Sequence, residues 1–154
     1  MQFEQILKTE LNQLKTELIE AYDDKGMRAS GRWADELEVK VSKNKEQILG
    51  LEYTRQLEEG RSPGGFPPVD IIEQWVVDKN IQAIDDAITT RTLAFLIARK
   101  IAREGWQRQE QGGVDLISDV ITPKRLESIL GKLTDANLVE FSSEITSIFV
   151  DAFK

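Results

Sequence analysis

The sequence GRSPGGFPP at residues 60–68 does most to limit the folds that are open to this chain. It holds three of the four prolines and three of the ten glycines of the 154-residue protein. Proline removes a backbone donor and glycine weakens regular elements, so this proline-glycine segment predicts neither a helix nor a central strand. A phosphate-binding loop is also disfavoured, because no G-x-x-x-x-G-K-[ST] pattern follows a strand here. We therefore predict an irregular arm over residues 57–68, within a single domain that spans residues 1–154.

Ahead of this arm, the spacing of apolar residues changes from helical to strand-like. A helix is predicted over residues 2–25, with Gly26 placed to end it, because apolar residues recur there at alternating steps of four and three. The stripe consists of Leu7, Leu11, Leu14, Leu18 and Ala21. Its partner is either the chain's own sheet or a neighbouring subunit, and the sequence leaves these two alternatives open.

Alternation with a period of two then predicts an antiparallel ribbon of two strands, 33–42 and 47–54. The apolar parity is held by Trp33, Leu37, Val39 and Val41 in the first strand and by Leu49, Leu51 and Tyr53 in the second. The polar sequence KNKE between them is short enough for a hairpin turn. Because a two-stranded ribbon is rarely stable alone, we expect it to lie against helices or to gain a further strand.

Helical spacing returns after the arm and predicts three more helices. They cover residues 69–79, 89–104 and 123–152. Pro68 is suited to open the first, Gly105 follows the second, and Thr122 with Pro123 forms a capped start for the third.

The segment 105–122 is polar and contains glycine, which predicts a long loop with room for a third strand over 115–121. Gly131 and Thr134-Asp135 leave open whether the last helix is continuous or split in two. The predicted fold class is α+β, a small antiparallel β-sheet packed by an N-terminal helix and several C-terminal helices.

The amino-acid composition limits the kinds of catalysis and of metal binding that are open to this chain. The chain has no cysteine and no histidine, which excludes disulfides, thiol nucleophiles, Ser-His-Asp catalysis and histidine proton shuttles, and argues against structural zinc. Acidic pairs occur at Asp23-Asp24, Glu58-Glu59 and Asp85-Asp86, but sequence neighbours point away from each other on a helix. We therefore expect no catalytic residue, no cofactor and no metal ligand, and the sequence predicts a protein that is not an enzyme.

The distribution of charge and apolar sequence bears on partners. With 20 basic and 27 acidic residues the net charge is -7, which disfavours tight binding of duplex DNA. No apolar run is long enough to cross a membrane, and the first residues lack the pattern of a signal peptide.

Two local features invite a functional interpretation. The helix over 89–104 and its continuation carry Arg91, Arg99, Lys100, Arg103 and Arg108 against only Glu104. This basic face is either a solvated face that complements the helix C-terminus or a contact for an acidic partner surface. Phe66, between glycine and proline, either fills the domain's own core or anchors in a partner's pocket.

The stretch from Tyr53 to Ala102, with the glycine that follows at residue 105, resembles a known family. It carries E-x-G, a glycine-proline loop, P-P-x-x-x-I-x-x-W and then A-x-x-I-A-R-x-I-x-x-x-G, and in these it is similar to the neck and tail-completion (head–tail connection) proteins of tailed bacteriophages. The matching residues are Glu58 or Glu59, Gly60, Pro63, Gly64, Phe66, Pro67, Pro68, Ile72, Trp75, Ala94, Ile97, Ala98, Arg99, Ile101 and Gly105. After Gly105 the chain departs from the proline-rich continuation of many relatives.

The resemblance implies a structural virion protein without catalytic residues. Such a subunit forms a homo-oligomeric ring in the neck that joins the portal or connector to the tail, and it is made in the host bacterial cytoplasm. Its expected partners are itself and other neck, portal or tail proteins, with genomic DNA only passing through the lumen and no membrane. The candidate subunit contacts are Gly60, Arg61, Pro63, Phe66, Pro67, Arg99 and Arg103.

Two other classes remain as alternatives at this stage. One is a non-enzymatic adaptor that binds a protein partner through residues 60–68, which would keep the mass of a single chain without that partner. The other is a magnesium-dependent carboxylate enzyme that acts on phosphoesters, which a metal titration would reveal.

Overall fold

A computed structural model describes residues 2–42, 45–107 and 114–152. Helices and one small sheet make up the described part, and the predicted α+β class is confirmed. In chain order the elements are α1 (Gln2–Asp24), α2 (Arg32–Asp35), β1 (Glu38–Ser42), β2 (Lys45–Leu49), α3 (Thr54–Glu59), α4 (Val69–Asp78), α5 (Thr90–Glu104), α6 (Leu116–Val120) and α7 (Pro123–Ala152).

The N-terminal helix α1 is the element on which most of the others pack. It contacts α6, α7 and both strands. Towards its start, Leu14 forms a buried cluster with Ile129 and Leu133 of α7. Gly26, with φ of 62°, follows its last turn in the left-handed conformation that glycine favours, as predicted. The stripe of α1 therefore packs within its own chain.

A buried ion cluster joins α1 to α7 beside this apolar contact. The Glu10 carboxylate accepts hydrogen bonds from Lys132 Nζ at 2.5 Å and from Arg125 Nη1 at 2.9 Å. Arg125 also donates two bonds of 3.2 Å to Glu17. Because the Glu10 side chain is almost fully buried, both cations are needed to offset its desolvation.

The second core surrounds Trp33, which has no exposed surface. Its ring centroid lies 4.7 Å from that of Tyr22, and its Nε1–H donates to Thr54 Oγ1 at 2.8 Å. Trp33 lies in the short helix α2, so the predicted strand over 33–42 is wrong at its start. The spacing of four residues between Trp33 and Leu37 fits a helical turn as well as alternation, and a helical turn buries both in one core.

The ribbon is antiparallel and lies against α1, as expected, but its second strand differs from the prediction. Val39 pairs with Ile48, and Ile48 packs against both cores, whereas Leu49 pairs with Glu38 on the opposite face. The predicted apolar parity of β2 is therefore wrong, and β2 ends at Leu49 instead of continuing to residue 54. A shift of one residue in register moves every side chain of a strand to the other face of the sheet. In this ribbon the pairing between the strands determines which side chains of β2 face the core. Lys43 and Asn44 of the predicted turn lie outside the described residues.

Besides α2, two further short helices were not predicted from the sequence. Helix α3 includes the first three residues of the predicted arm, and α6 replaces the third strand predicted over 115–121 within the long loop. The Glu58 side chain of α3 accepts hydrogen bonds from the backbone of Ile117, at 2.6 Å, and of Ser118. These are donors of the first turn of α6 that have no partner within that helix. Part of the predicted loop is thus a helix that α3 caps, while residues 108–113 lie outside the described part.

Helices α4 and α5 form a hairpin and pack chiefly on each other. Ala94 and Ala98 of α5 and Val76 of α4 are buried, and the Thr89 hydroxyl accepts from the backbone of Thr92 to cap α5. Leu96 of α5 is exposed, although the apolar spacing of this helix would allow it to share a face with Leu93 and Ile97. The small side chains of Ala94 and Ala98 allow the two helices to approach closely, and these alanines form the centre of the packed face of α5.

The last helix, α7, runs for 30 residues without a break at Gly131 or Thr134, which settles the alternative left open by the sequence. Thr122 caps it, since its hydroxyl accepts from the backbone of Arg125 at 3.2 Å. Within the described ranges, no helix combines the length and the apolar character needed to cross a bilayer.

The cap between α3 and α6 yields a first prediction. Glu58→Ala should lower the free energy of unfolding by about 0.5–2 kcal/mol, because it removes the acceptor of the first turn of α6. Glu59→Ala is the matched control, since Glu59 forms an exposed ion pair with Arg55 of its own helix. Urea unfolding followed by circular dichroism measures both, and equal losses in the two variants would contradict the capping role.

The ion cluster makes stability depend on pH. The hydrogen bond from Lys132, and secondarily that from Arg125, lowers the pKa of Glu10 below 4.5 against the opposing effect of burial. A lowered pKa contributes stability above the unfolded value, and this stability is lost as the pH falls from about 4.5 through the folded value. Glu10→Gln should cost about 1–3 kcal/mol at pH 7 and flatten the loss of stability below pH 4.5.

Glu20→Gln on the exposed side of α1 is the control for Glu10→Gln, and its acid profile should match that of the wild type. Thermal melting between pH 3 and pH 7 compares the three proteins. A Glu10→Gln profile parallel to the wild type would show that this carboxylate does not govern acid stability.

Candidate functional site

The proline-glycine segment folds back onto the C-terminal end of α5. Arg61 and Trp106 form an antiparallel bridge with backbone hydrogen bonds of 2.8 and 2.6 Å. Gly64 N–H donates to the carbonyl of Ala102 at 2.9 Å, and Arg61 Nη2 donates to the carbonyl of Gly65 at 2.7 Å. Four hydrogen bonds therefore hold this irregular segment in one conformation.

Two glycines permit the close approach. Gly60 and Gly105 both have positive φ, near 75°, which favours glycine. A Cβ at Gly60 would lie 2.7 Å from the carbonyl oxygen of Trp106. A Cβ at Gly105 would overlap the carbonyl oxygen of Arg61 and meet Pro63 at 3.0 Å. Four of the seven candidate contact residues, Gly60, Arg61, Pro63 and the buried Pro67, thus serve contacts within the chain.

Phe66 lies on the surface beside a second aromatic ring. Its ring centroid is 5.7 Å from that of Phe95 on α5, and the two side chains remain 49% and 46% exposed. The structure therefore does not place Phe66 in the core of its own chain. The pair leaves an aromatic surface open to a partner.

Arg99 and Arg103 follow Phe95 at successive turns of α5 and are exposed. Neither makes a hydrogen bond or an ion pair with any residue in the described part of the chain. Together with the exposed Leu96 these side chains form one surface, the aromatic-basic patch, made of Phe66, Phe95, Leu96, Arg99 and Arg103.

The rest of the predicted basic face does not belong to this patch. Arg91 pairs with Asp70 and with Glu73, at 2.8 Å from the latter, and so ties α5 to α4. Lys100 lies 4.0 Å from Glu104 on the same helix. Arg108 lies outside the described residues. The basic face is thus partly an internal contact and partly open.

A second exposed apolar surface lies on α7 and was not foreseen. The helix buries Ile129, Leu133 and Ala136 against the rest of the chain. Five other apolar side chains of α7 are between 45% and 62% exposed. Apart from Val139, they recur at steps of four, eight and three residues, which places these four along one side of the helix. They form the α7 stripe: Leu126, Leu130, Leu138 and Phe141. The sequence signal was present, because α7 has more apolar positions than one packed face requires.

The acidic side chains of the described residues do not gather into a group that could hold a metal ion. No group of three potential metal ligands occurs among these residues. Asp23 forms an ion pair with Arg28, whose hydrogen bond lowers the pKa of Asp23. A groove of about 470 Å³ runs between α1 and α7, but Glu10 and Lys132 on its wall already bind each other. The two exposed apolar surfaces, the aromatic-basic patch and the α7 stripe, are therefore the features on which a functional interpretation can be based.

Searches with the sequence and the structure found no match to this chain among protein-family models, curated proteins or solved structures.

The glycine contact at the end of α5 yields a prediction. Gly105→Ala should destabilise the protein by more than about 1 kcal/mol, because it combines a strained positive φ with overlap on the Arg61 carbonyl. Gly65→Ala, in the same segment, is the control, since its Cβ would meet no atom closer than 4.0 Å. Thermal melting compares the two, and hydrogen exchange at the amides of Arg61 and Gly64 reports on the segment. Undisturbed protection of these amides in Gly105→Ala would contradict this role of Gly105.

Proposed function

We propose that this protein is a non-enzymatic structural subunit of a tailed-phage virion neck. In this proposal it assembles as a homo-oligomeric ring that joins the portal or connector to the tail. The observation that carries the proposal is the presence of two separate exposed apolar surfaces, the aromatic-basic patch and the α7 stripe. A soluble monomer rarely leaves such surfaces uncovered. A ring closed by head-to-tail contacts needs two different surfaces on each subunit.

The residues of the family resemblance support the proposal in a second way. Gly60 and Gly105 permit the docking of the proline-glycine segment, and Ala94 and Ala98 permit the close packing of α5 on α4. These motif residues are therefore the ones that hold Phe66 next to α5. The motif builds the surface that a neighbouring subunit would contact.

The charge of the chain suits a ring through which DNA passes. The net charge is -7, and Arg91, Arg125 and Lys132 are engaged in ion pairs within the chain. A surface with few clustered free cations does not hold duplex DNA tightly. The proposed partners are copies of the same chain and other neck, portal or tail proteins in the virion.

An adaptor that holds a different protein through residues 60–68 is the second candidate, and the exposure of Phe66 is the observation that favours it. The two functions differ in the mass of the purified protein. Light scattering over a range of concentrations should give a multiple of 17.5 kDa for a ring subunit and a single chain for an adaptor. Negative-stain images of the same sample would show rings.

Phe66→Ala tests the contact itself. The variant should keep the melting temperature of the wild-type subunit within a few degrees, because this ring is half exposed. It should weaken assembly by about 1–3 kcal/mol per contact, which the concentration dependence of the mass and incorporation into virions measure.

Ile84→Ala is the matched control for Phe66→Ala, since Ile84 is fully exposed in the loop between α4 and α5, outside both surfaces. It should leave assembly unchanged. A lower melting temperature of Phe66→Ala with unchanged virion incorporation would refute the interface role of Phe66.

A further inference from the structure

The exposed side of α7 is acidic as well as apolar, because the internal ion cluster uses most of its cations. The exposed side chains of α7 outside that cluster include Glu127, Asp135 and Glu144 against Lys124. Arg125 and Lys132 both bind Glu10 of α1. Glu127 is exposed and lies within one helical turn of both Leu126 and Leu130. The α7 stripe therefore presents leucines next to a carboxylate.

The aromatic-basic patch has the opposite charge. Arg99 and Arg103 continue the line of Phe95 along α5, and no described residue pairs with either of them. From Phe95 to Arg103 the patch extends about 12 Å along α5, at 1.5 Å per residue. The α7 stripe extends about 22 Å from Leu126 to Phe141, so it is long enough to cover the patch.

Gly131 gives the α7 stripe a recess. It lies next to Leu130 and one full heptad before Leu138, in the interior of an exposed helix where glycine is unfavourable. A Cβ placed there would have no neighbour within 4 Å, so nothing within the described part of the chain explains the absence of a side chain. An aromatic ring from another surface can enter this space, and the patch offers Phe66 and Phe95.

From these complementary features we infer that the aromatic-basic patch of one copy docks on the α7 stripe of the next copy. Helices α5 and α7 then cross in opposite directions, with Phe66 and Phe95 against Leu130 and Leu138 and with Arg103 near Glu127. This inference rests on the proposed function, since it names the contact by which the ring would close.

The alternative symmetric contacts are disfavoured by charge. A patch that met its own copy would bring Arg99 and Arg103 against the same two arginines. A stripe that met its own copy would leave the patch uncovered and would bring acidic helices together. Opposite charges across an interface favour association and fix its register, while like charges suppress it. The head-to-tail contact covers both exposed surfaces and places opposite charges next to each other.

Complementation between two blocked variants tests the inference. The first variant, Leu130→Lys with Leu138→Lys, blocks the stripe and keeps the patch. The second, Arg99→Glu with Arg103→Glu, blocks the patch and keeps the stripe. All four positions are exposed, so both variants should retain the wild-type helix content and melting temperature. Alone, each should associate at least about thirtyfold more weakly than the wild type.

Mixed in equal amounts, the two variants should form dimers of one copy of each, because one intact patch and one intact stripe remain. Light scattering gives the mass, and a mass tag on one variant identifies the pair. A wild-type oligomer whose blocked variants still self-associate, or whose mixture stays monomeric, would overturn this pairing while leaving the proposed ring intact. A wild-type protein that stays a single chain at every concentration would overturn the proposed ring and the pairing together.

The absence of cysteine from the chain allows a second, independent test. Leu96→Cys and Leu130→Cys each introduce one thiol, at exposed positions of the patch and of the stripe. A short bis-maleimide should cross-link a mixture of these two variants into mixed dimers in at least about tenfold higher yield than either variant alone. Ile84→Cys, with a thiol outside both surfaces, should give no preferred product. Equal yields in all mixtures would contradict the proposed contact.

Discussion

The burial of one side of α1 is the constraint on which the rest of the structure depends. Its apolar stripe reaches from the cluster around Leu14 to the cluster around Trp33, so one helix takes part in both cores. Helices α6 and α7 and both strands pack against it. Apolar burial of this extent is the dominant favourable term in folding, and the two-stranded sheet, too small to be stable alone, relies on it.

The ion cluster at Glu10 has an effect beyond the contact it stabilises. A carboxylate buried at the α1–α7 contact requires cations, and Arg125 and Lys132 supply them from α7. The exposed part of α7 is left with leucines and, among the described side chains outside the cluster, with Glu127, Asp135 and Glu144 against Lys124. An internal requirement for cations thus contributes to the charge of the exposed surface of the same helix.

The α4–α5 hairpin has a different construction. It packs chiefly on itself, and Lys79 reaches the backbone carbonyl of Gly26 beside α1. Its stability comes from close helix packing at Ala94 and Ala98 and from the ion pairs of Arg91. The proline-glycine segment adds hydrogen bonds to the end of α5 without covering Phe95. The hairpin therefore carries an aromatic and basic surface whose residues belong to neither core.

The sequence by itself determined the helices whose first and last residues depend on neighbouring residues in the chain. Helices α1, α4, α5 and α7 were predicted to within one residue at every end, because apolar spacing, Thr89, Thr122 and Gly105 act within a single turn. The irregular course of residues 60–68 was also predicted, since proline and glycine act locally. The sequence left open whether Phe66 is buried or exposed, and the structure leaves it half exposed.

Only the tertiary structure decided the features that depend on distant partners. Helix α6 is capped by Glu58, which lies 59 residues before Ile117 in the chain, so no local sequence pattern predicts this helix. Trp33 became helical because burial against Tyr22 outweighs a weak strand alternation. Ile48 faces the core because of its pairing with Val39. The structure also divides α7 into a packed and an exposed apolar side. Helix α1 covers Ile129 and Leu133 and leaves Leu130 and Leu138 open. This division depends on how the two helices contact each other, so the sequence of neither helix predicts it alone.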